Sequence, residues 1–248
     1  MGTVGQESSH WPRTAAIFGA SGGIGRALCE ALAERGVQHV YAGARNPADI
    51  EDASLVRFAF DLTDEQSIAG AAEAMSAAPP QLVLVSTGVL TLEDGNGPER
   101  TYKAIKGEVM EQVLWRNTIG PALIAKHMLP LLPREGRAVF AALSARVGSI
   151  SDNRIGGWHS YRASKAALNM LVRNWSIEMA RTHKEAVVVS LHPGTVDTAL
   201  SEPFQSNLPD GQLTSPDDAA QNLLSVIDGL GPKDSGYQFD WKGERVPD

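Results

Sequence analysis

Gly19-Ala20-Ser21-Gly22-Gly23-Ile24-Gly25 lies between an apolar run, Thr14–Phe18, and a stretch, Arg26–Glu34, with apolar residues at helical spacing. A glycine-rich turn that hands a strand over to a helix suits a pyrophosphate. The helix N-terminus offers N–H groups and a partial positive charge. Residues without a Cβ let the backbone bend sharply and approach the ligand. The spacing is G-x-x-x-G-x-G, with Ser21 and Ile24 among the other residues, rather than G-x-G-x-x-G. Arg45 closes the next apolar run, His39–Ala44, twenty residues after Gly25. In a dinucleotide site this is where a carboxylate binds the adenosine ribose 2′-hydroxyl or an arginine accommodates a 2′-phosphate. Residues 41–45 hold no Asp or Glu, so the guanidinium favours the phosphate. The alternative is a solvated surface arginine. Asp61 could accept from an adenine amino group with Leu62 as an apolar neighbour, while Thr63 or Asp64 caps a helix beginning near Glu65. Tyr161 and Lys165 are four apart, so a phenol and an ammonium project from one face of one helix.

These residues need a frame. Apolar runs at 14–18, 39–44, 56–60, 81–86, 137–143, 186–191 and 237–241 read as strands. Helical patterns lie between them, at 26–34, 65–78, 106–129, 159–182 and from Ser215 to about 229. The alternation predicts an α/β fold, a single-domain doubly wound parallel sheet of about seven strands with helices on both faces. Ligands bind at the C-terminal ends of such strands. Gly88 follows the fourth run, Ser144 the fifth, and Pro193-Gly194 the sixth. Asn117 sits inside a long helix beside Gly120-Pro121, a pair that perturbs helices locally. Residues 1–12 read as a loose tail before a single domain over 13–248. Residues 199–214 read as a mobile segment, because Pro203, Pro209 and Gly211 break regular structure.

With 248 residues, 43% hydrophobic and 21% charged, the chain has the balance of a globular protein with a full core. A net charge of -7 argues against nucleic acid or an anionic membrane as the main partner. The single cysteine, Cys29, allows no internal disulfide and fits a reducing, cytoplasmic compartment. The six histidines show no paired ligand spacing, so no metal site is expected.

The glycine turn, Gly88, Asn117, a serine after the fifth strand, Tyr161-x-x-x-Lys165 and Pro193-Gly194 occur in one order. Together they make the sequence resemble the short-chain dehydrogenase/reductase family over about residues 13–241. Gly148-Ser149-Ile150, Gly156-Gly157 and the text from Tyr161 to Asn169 are similar to the branch holding bacterial C-factor and the insect carbonyl reductase sniffer. The resemblance implies a Rossmann fold and hydride transfer between a carbonyl and an alcohol. Tyr161 would be the acid in reduction and the base in oxidation. Lys165 would bind the nicotinamide ribose and bring the phenol down from its free pKa of ~10. A serine would hydrogen-bond the substrate oxygen. Asn117 would hold a water linking Lys165 to solvent, and Pro193, Gly194, Val196 and Thr198 would line the nicotinamide carboxamide.

Three departures stand out. The family's usual Asn-Asn-Ala-Gly is Val85-Ser86-Thr87-Gly88 here. Counted back from Gly148, the usual catalytic serine falls on Ala145, so either Ser144, Ser149 or Ser151 takes its place or the site lacks its oxygen-binding serine and is slow. Arg45 stands where NAD-preferring members carry an acid, which points to NADP(H). The alternative reading is a cofactor-binding signalling or sensor protein of C-factor type with little catalysis. The loops at 90–98, 149–158 and 199–214 carry Ile150, Trp158, Leu200, Phe204 and Leu208, which suggests an apolar or aromatic carbonyl or alcohol as substrate. The resemblance also implies a homodimer or homotetramer paired through the helices near 106–129 and 159–182.

Overall fold

Thr14-Ala15-Ala16-Ile17-Phe18 has no polar side that could face water, and it forms the buried strand β1 (Thr14–Phe18) in the interior of the sheet. The computed structural model describes residues 11–207 and 212–248, apart from the side chains of residues 206 and 207. After β1 come α1 (Gly23–Glu34), β2 (His39–Ala44), β3 (Val56–Ala59), α2 (Glu65–Ala74) and β4 (Leu82–Val85). Next are α3 (Gly107–Leu114), α4 (Gly120–Met128), β5 (Ala138–Leu143) and α5 (His159–Met179). The chain continues with β6 (Ala186–His192), β7 (Thr195–Val196), β8 (Leu213–Thr214), α6 (Pro216–Gly229) and β9 (Gln238–Asp240). Seven strands join one parallel sheet in the order β3-β2-β1-β4-β5-β6-β9. The chain runs outward from β1 to β3 and then crosses back to β4. The strand ends at β1 and β4 therefore flank the crevice where such sheets bind ligands.

Each face of the sheet has its own core. Leu28 and Leu32 of α1 pack with Leu223 and Ile227 of α6 on one side. Ile68 of α2, Ile124 and Met128 of α4, and Leu168 and Val172 of α5 pack on the other. Cys29 lies inside the first of these cores, and burial pushes its thiol up to about 12. Gly36 ends the first helical stretch in the left-handed region, with φ +79°. No helix among the described residues is long and apolar enough to cross a membrane.

The predicted helix at 106–129 divides into α3, a π-helical turn from Trp115 to Ile119, and α4. Pro121 explains the break, because it has no N–H to give the carbonyl of Asn117 four residues back. Two readings of irregular chain need correction. Trp11 is packed rather than loose: its Nε1 donates to the carbonyl of Arg137 at 3.0 Å, and the Arg137 guanidinium lies 4.4 Å from its ring centroid. Within 199–214, Glu202–Asn207 forms a 3₁₀ helix and β8 pairs in parallel with β7. Pro203 falls in the first turn of that helix, where its missing N–H costs nothing. The Ser201 hydroxyl ties the segment back by donating to the carbonyl of Val196 at 2.5 Å. Residues 1–10 and 208–211, which include Leu208, Pro209 and Gly211, lie outside the described residues.

Candidate active site

The glycine turn is built from close backbone approaches. Gly19 has φ +100°, and its N–H and that of Ala20 donate to the carbonyl of Gly43 on β2 at 3.0 and 2.8 Å. The Ser86 hydroxyl, at the end of β4, donates to the carbonyl of Phe18 at 2.9 Å and contacts that of Gly19 at 3.3 Å. Thus Ser86 supplies a tie across the crevice from a position where the family usually has another residue. A Cβ on Gly25 would lie 2.1 Å from the Gly19 carbonyl oxygen, and one on Gly23 would lie 2.8 Å from Cγ2 of Thr198. The cap of α1 is Gly22, so no side chain occupies its first amides, and its first turn carries no acid. Ser21, Gly22 and Gly23 are exposed, while Ile24 lines the cavity described next.

A cavity of about 380 Å³ opens at the ends of β4, β5 and β6. Tyr161 and Lys165 of α5 reach it together, with the Lys165 Nζ 5.8 Å from the phenol ring centroid. The ammonium donates to the carbonyl of Leu143 at 2.9 Å. Gly88 lies beside it: a Cβ there would sit 3.2 Å from Asn117 Oδ1 and 3.4 Å from Lys165 Nζ. Burial acts oppositely on the two titratable groups, pushing the phenol up to about 12 and the ammonium down to about 8. Burial thus moves the phenol opposite to the lowering by Lys165 that the resemblance implies, because it disfavours the charged form of both groups.

Asn117 sits in the π turn, fully buried. Its Oδ1 accepts from the Val89 N–H at 2.7 Å, and its Nδ2 donates to the Val89 carbonyl at 2.8 Å and to Ser164 Oγ at 3.1 Å. In turn Ser164 donates to the carbonyl of Tyr161 at 2.7 Å. The widened turn thus aims one amide at both the loop after β4 and the helix bearing Tyr161.

The structure separates the three serine candidates. Ser144 lines the cavity, buried, and its Oγ has no hydrogen-bond partner among the described residues. Ala145 stands beside it, packed with Leu90 and Tyr161. Ser149 faces a different hollow, where its hydroxyl accepts from the N–H of Asp152 at 3.1 Å. Ser151 is exposed and outside the cavity wall. The turn at Gly148 causes this division, because its backbone packs so closely on α5 that a Cβ would meet Lys165 Cβ at 2.8 Å. Residues before the turn face Tyr161 and those after it face away. Ile150 goes with the second group and is 78% exposed, so it does not shape this cavity.

Pro193, Gly194, Val196 and Thr198 line the cavity, as do Leu90, Val147, Trp158, Leu200 and Phe204. His192, which sequence reasoning passed over, is part of the same wall. Burial pushes its imidazole down to about 4, against the pull of Asp240, so it is neutral. Its place directly after the apolar strand run and before Pro193-Gly194 was the available signal.

Arg45 follows β2, outside the cavity wall, its side chain 77% exposed and 3.6 Å from the carboxylate of Glu93, itself 84% exposed. Asp61 accepts at 2.7 Å from both the N–H and the hydroxyl of Thr63, which hold its carboxyl below the usual range, with Arg45 and Arg116 adding to the effect. The cap of α2 is Asp64, which accepts from the Gln66 N–H at 3.0 Å. Asp61 therefore shapes its own turn and Asp64 does the capping. Leu62 packs against Gly120, and its carbonyl accepts from Trp115 Nε1 at 3.2 Å, so it also braces the π turn.

A nucleotide-type glycine turn at the reversal of a parallel sheet, with a tyrosine and a lysine buried at the next strand ends, defines a class of α/β oxidoreductase. The family model described as short chain dehydrogenase matches residues 13–209, and the chain belongs to the short-chain dehydrogenase/reductase family. It is 40% identical to C-signal of Myxococcus xanthus over 131 residues, 53% of this chain and 74% of that protein. It is 32% identical to 1-hydroxy-2-glutathionyl-2-methyl-3-butene dehydrogenase of Rhodococcus sp. (strain AD45) over 227 residues, 90% of this chain and 94% of that one. Among solved structures, NADPH-bound carbonyl reductase from chicken fatty liver superposes with a TM-score of 0.82 at 27% identity, covering 95% of this chain and 98% of that one. The C-signal match agrees with the likeness to C-factor read from residues 148–169.

Proposed function

We propose that this chain is an NADP(H)-dependent oxidoreductase that interconverts a carbonyl and an alcohol. The observation that carries this reading is the pairing of Tyr161 and Lys165 at the floor of a mainly apolar cavity. The residues present fit a nicotinamide dinucleotide. The first amides of α1 are left to a phosphate, the tight turn before them has no room for a Cβ at Gly25, and the buried hydroxyls of Thr87 and Ser144 await partners along the crevice. The NADPH-bound carbonyl reductase supports the same choice.

A bound nicotinamide supplies the hydride in reduction and accepts it in oxidation. Tyr161, protonated at neutral pH as a phenol is, gives its proton to the carbonyl oxygen in reduction. In oxidation the nearby Lys165 ammonium stabilises the phenolate that takes the proton back. A rotation about χ1 brings the unpartnered Ser144 hydroxyl toward the substrate oxygen, in place of the serine that Ala145 lacks. Pro193, Gly194, Val196 and Thr198 form the wall against which the nicotinamide is held. Leu90, Trp158, Leu200 and Phe204 surround the remaining space, which suits an apolar or aromatic carbonyl.

Arg45 would hold the adenosine 2′-phosphate, exchanging its exposed contact with Glu93 for a phosphate dianion. A charge-assisted contact of this kind is worth about 2 kcal/mol, or roughly 30-fold in affinity. NADPH consumption is therefore expected with apolar aldehydes, ketones or quinones, faster than with NADH. Arg45→Asp is expected to shift the NADPH/NADH ratio of kcat/KM toward NADH by about that factor. An unchanged ratio would leave Arg45 as a surface charge.

One observation favours a second reading, a cofactor-binding sensor with little catalysis: the usual serine position is Ala145, packed against Tyr161. That reading expects tight NADPH binding with no consumption across the same carbonyl panel.

A further inference from the structure

The helix that carries Tyr161 starts from three consecutive left-handed residues. Gly156 and Gly157 have φ +69° and +67°, and Trp158 has φ +51° with ψ 43°. Glycine adopts this region freely, whereas tryptophan does so against steric resistance and needs its surroundings to hold it there. The holding group is Glu99. Its carbonyl accepts from the Trp158 N–H at 2.5 Å. Its carboxylate, 6% exposed as a residue, accepts from the Ser160 N–H at 3.0 Å through Oε2 and from the Ser160 hydroxyl through Oε1. Trp158 provides no side-chain cap for α5, so a residue 61 positions from Ser160 supplies it. Burial works against the charge on Glu99, but the two bonds from Ser160, with the N–H of Glu99 itself and the nearby His159 adding to them, hold the carboxyl below its ordinary range. The negative charge also faces the positive end of the helix.

The backbone so fixed puts the Trp158 indole into the cavity wall. It meets the Tyr161 ring edge-on, with centroids 6.3 Å apart at 73°, and lies 5.2 Å from the Phe204 ring. The other end of the same loop is fastened by the two bonds between Asn117 and Val89, next to Leu90. Leu90, Tyr161, Trp158 and Phe204 then pack as one cluster.

We propose that Glu99 is a positioning residue for the substrate side of the cavity: it caps α5 and holds the strained Trp158, so that the indole stands as a fixed wall beside Tyr161. This rests on reading the cavity as a carbonyl site. Glu99 bonds to Trp158 and Ser160 and to neither the glycine turn nor Arg45, so it acts on substrate capture and leaves cofactor affinity alone.

The test compares Glu99→Ala and Glu99→Gln with the parent protein. Glutamine keeps one acceptor for the Ser160 N–H, and the serine hydroxyl can turn to accept from its amide. In Glu99→Ala, hydrogen exchange over residues 156–162 is expected to speed up at least tenfold, with residues 19–27 unchanged. Trp158 emission, isolated by difference from Trp158→Phe backgrounds, is expected to move to longer wavelength. With a carbonyl that turns over, KM is expected to rise about tenfold while kcat and the NADPH Kd change by less than threefold. Glu99→Gln is expected to recover most of each effect. Unchanged exchange and emission in Glu99→Ala would overturn the proposal, and so would a parallel loss of KM, kcat and NADPH affinity. If no carbonyl is consumed by the parent protein, the reading of the cavity fails by itself, while exchange and emission still decide whether Glu99 holds the wall.

Discussion

Tyr161→Phe is expected to lower kcat by about a thousandfold or more while the NADPH Kd stays within twofold, the range a positioned general acid supplies. The substitution removes one hydroxyl and keeps the ring. The ring is what packs against Leu90, Ala145 and Trp158, so the wall and the fold survive. Neither Lys165 nor His192 is set to replace the lost proton donor. The Lys165 ammonium is engaged by the Leu143 carbonyl at 2.9 Å, and the His192 imidazole is neutral because burial pushes it down to about 4. Single-turnover and steady-state rates for the variant, beside fluorescence titration with NADPH, check this. Turnover within tenfold of the parent would remove Tyr161 from the chemistry.

Gly25→Ala is expected to cost about 3 kcal/mol of stability and at least about a hundredfold in NADPH affinity. The new Cβ would stand 2.1 Å from the carbonyl oxygen of Gly19, 2.8 Å from its carbonyl carbon and 2.7 Å from Ser86 Oγ. The Ser86 side chain could rotate aside, but Gly19 cannot. Its φ of +100° and the bonds that it and Ala20 make to Gly43 fix it to β2. The helix must instead lift away from the turn, and its first amides leave the crevice. Gly22→Ala is the control. Gly22 has φ -78°, and a Cβ there meets only the Gly19 oxygen, at 3.5 Å, an ordinary contact. Thermal unfolding and NADPH titration of both variants check the contrast, and a Gly25→Ala protein that binds NADPH normally would contradict it.

Periodicity made the sheet legible because a strand buried on both faces, such as Leu82–Val85, has to be apolar throughout. Much of the site was legible for a related reason. Its parts sit where strands end, and the residues there are glycines, prolines or isolated polar groups that break the apolar pattern. What the chain order could not reveal were contacts that join distant loops. Glu99 reads as one charge in a polar stretch until the fold sets it against Ser160. Ser144, Ser149 and Ser151 could not be separated on paper, since the turn at Gly148 decides which side of α5 each one faces. The serine question therefore needed packing, whereas the tyrosine–lysine pair needed only the helical repeat. The 3₁₀ helix at Glu202–Asn207 was hidden because prolines signal a break without showing that Ser201 ties the segment to Val196.

The central claim is that hydride passes between a nicotinamide and a carbonyl in the cavity floored by Tyr161. Its most direct measurement uses NADPH carrying deuterium on the transferred face of the nicotinamide ring, an apolar carbonyl that the protein consumes, and mass spectrometry of the alcohol. The account expects one deuterium on the carbinol carbon per NADPH oxidised, and no labelled alcohol above background from Tyr161→Phe. NADPH oxidation that leaves the alcohol unlabelled, or labelled alcohol formed equally well by the variant, would contradict it.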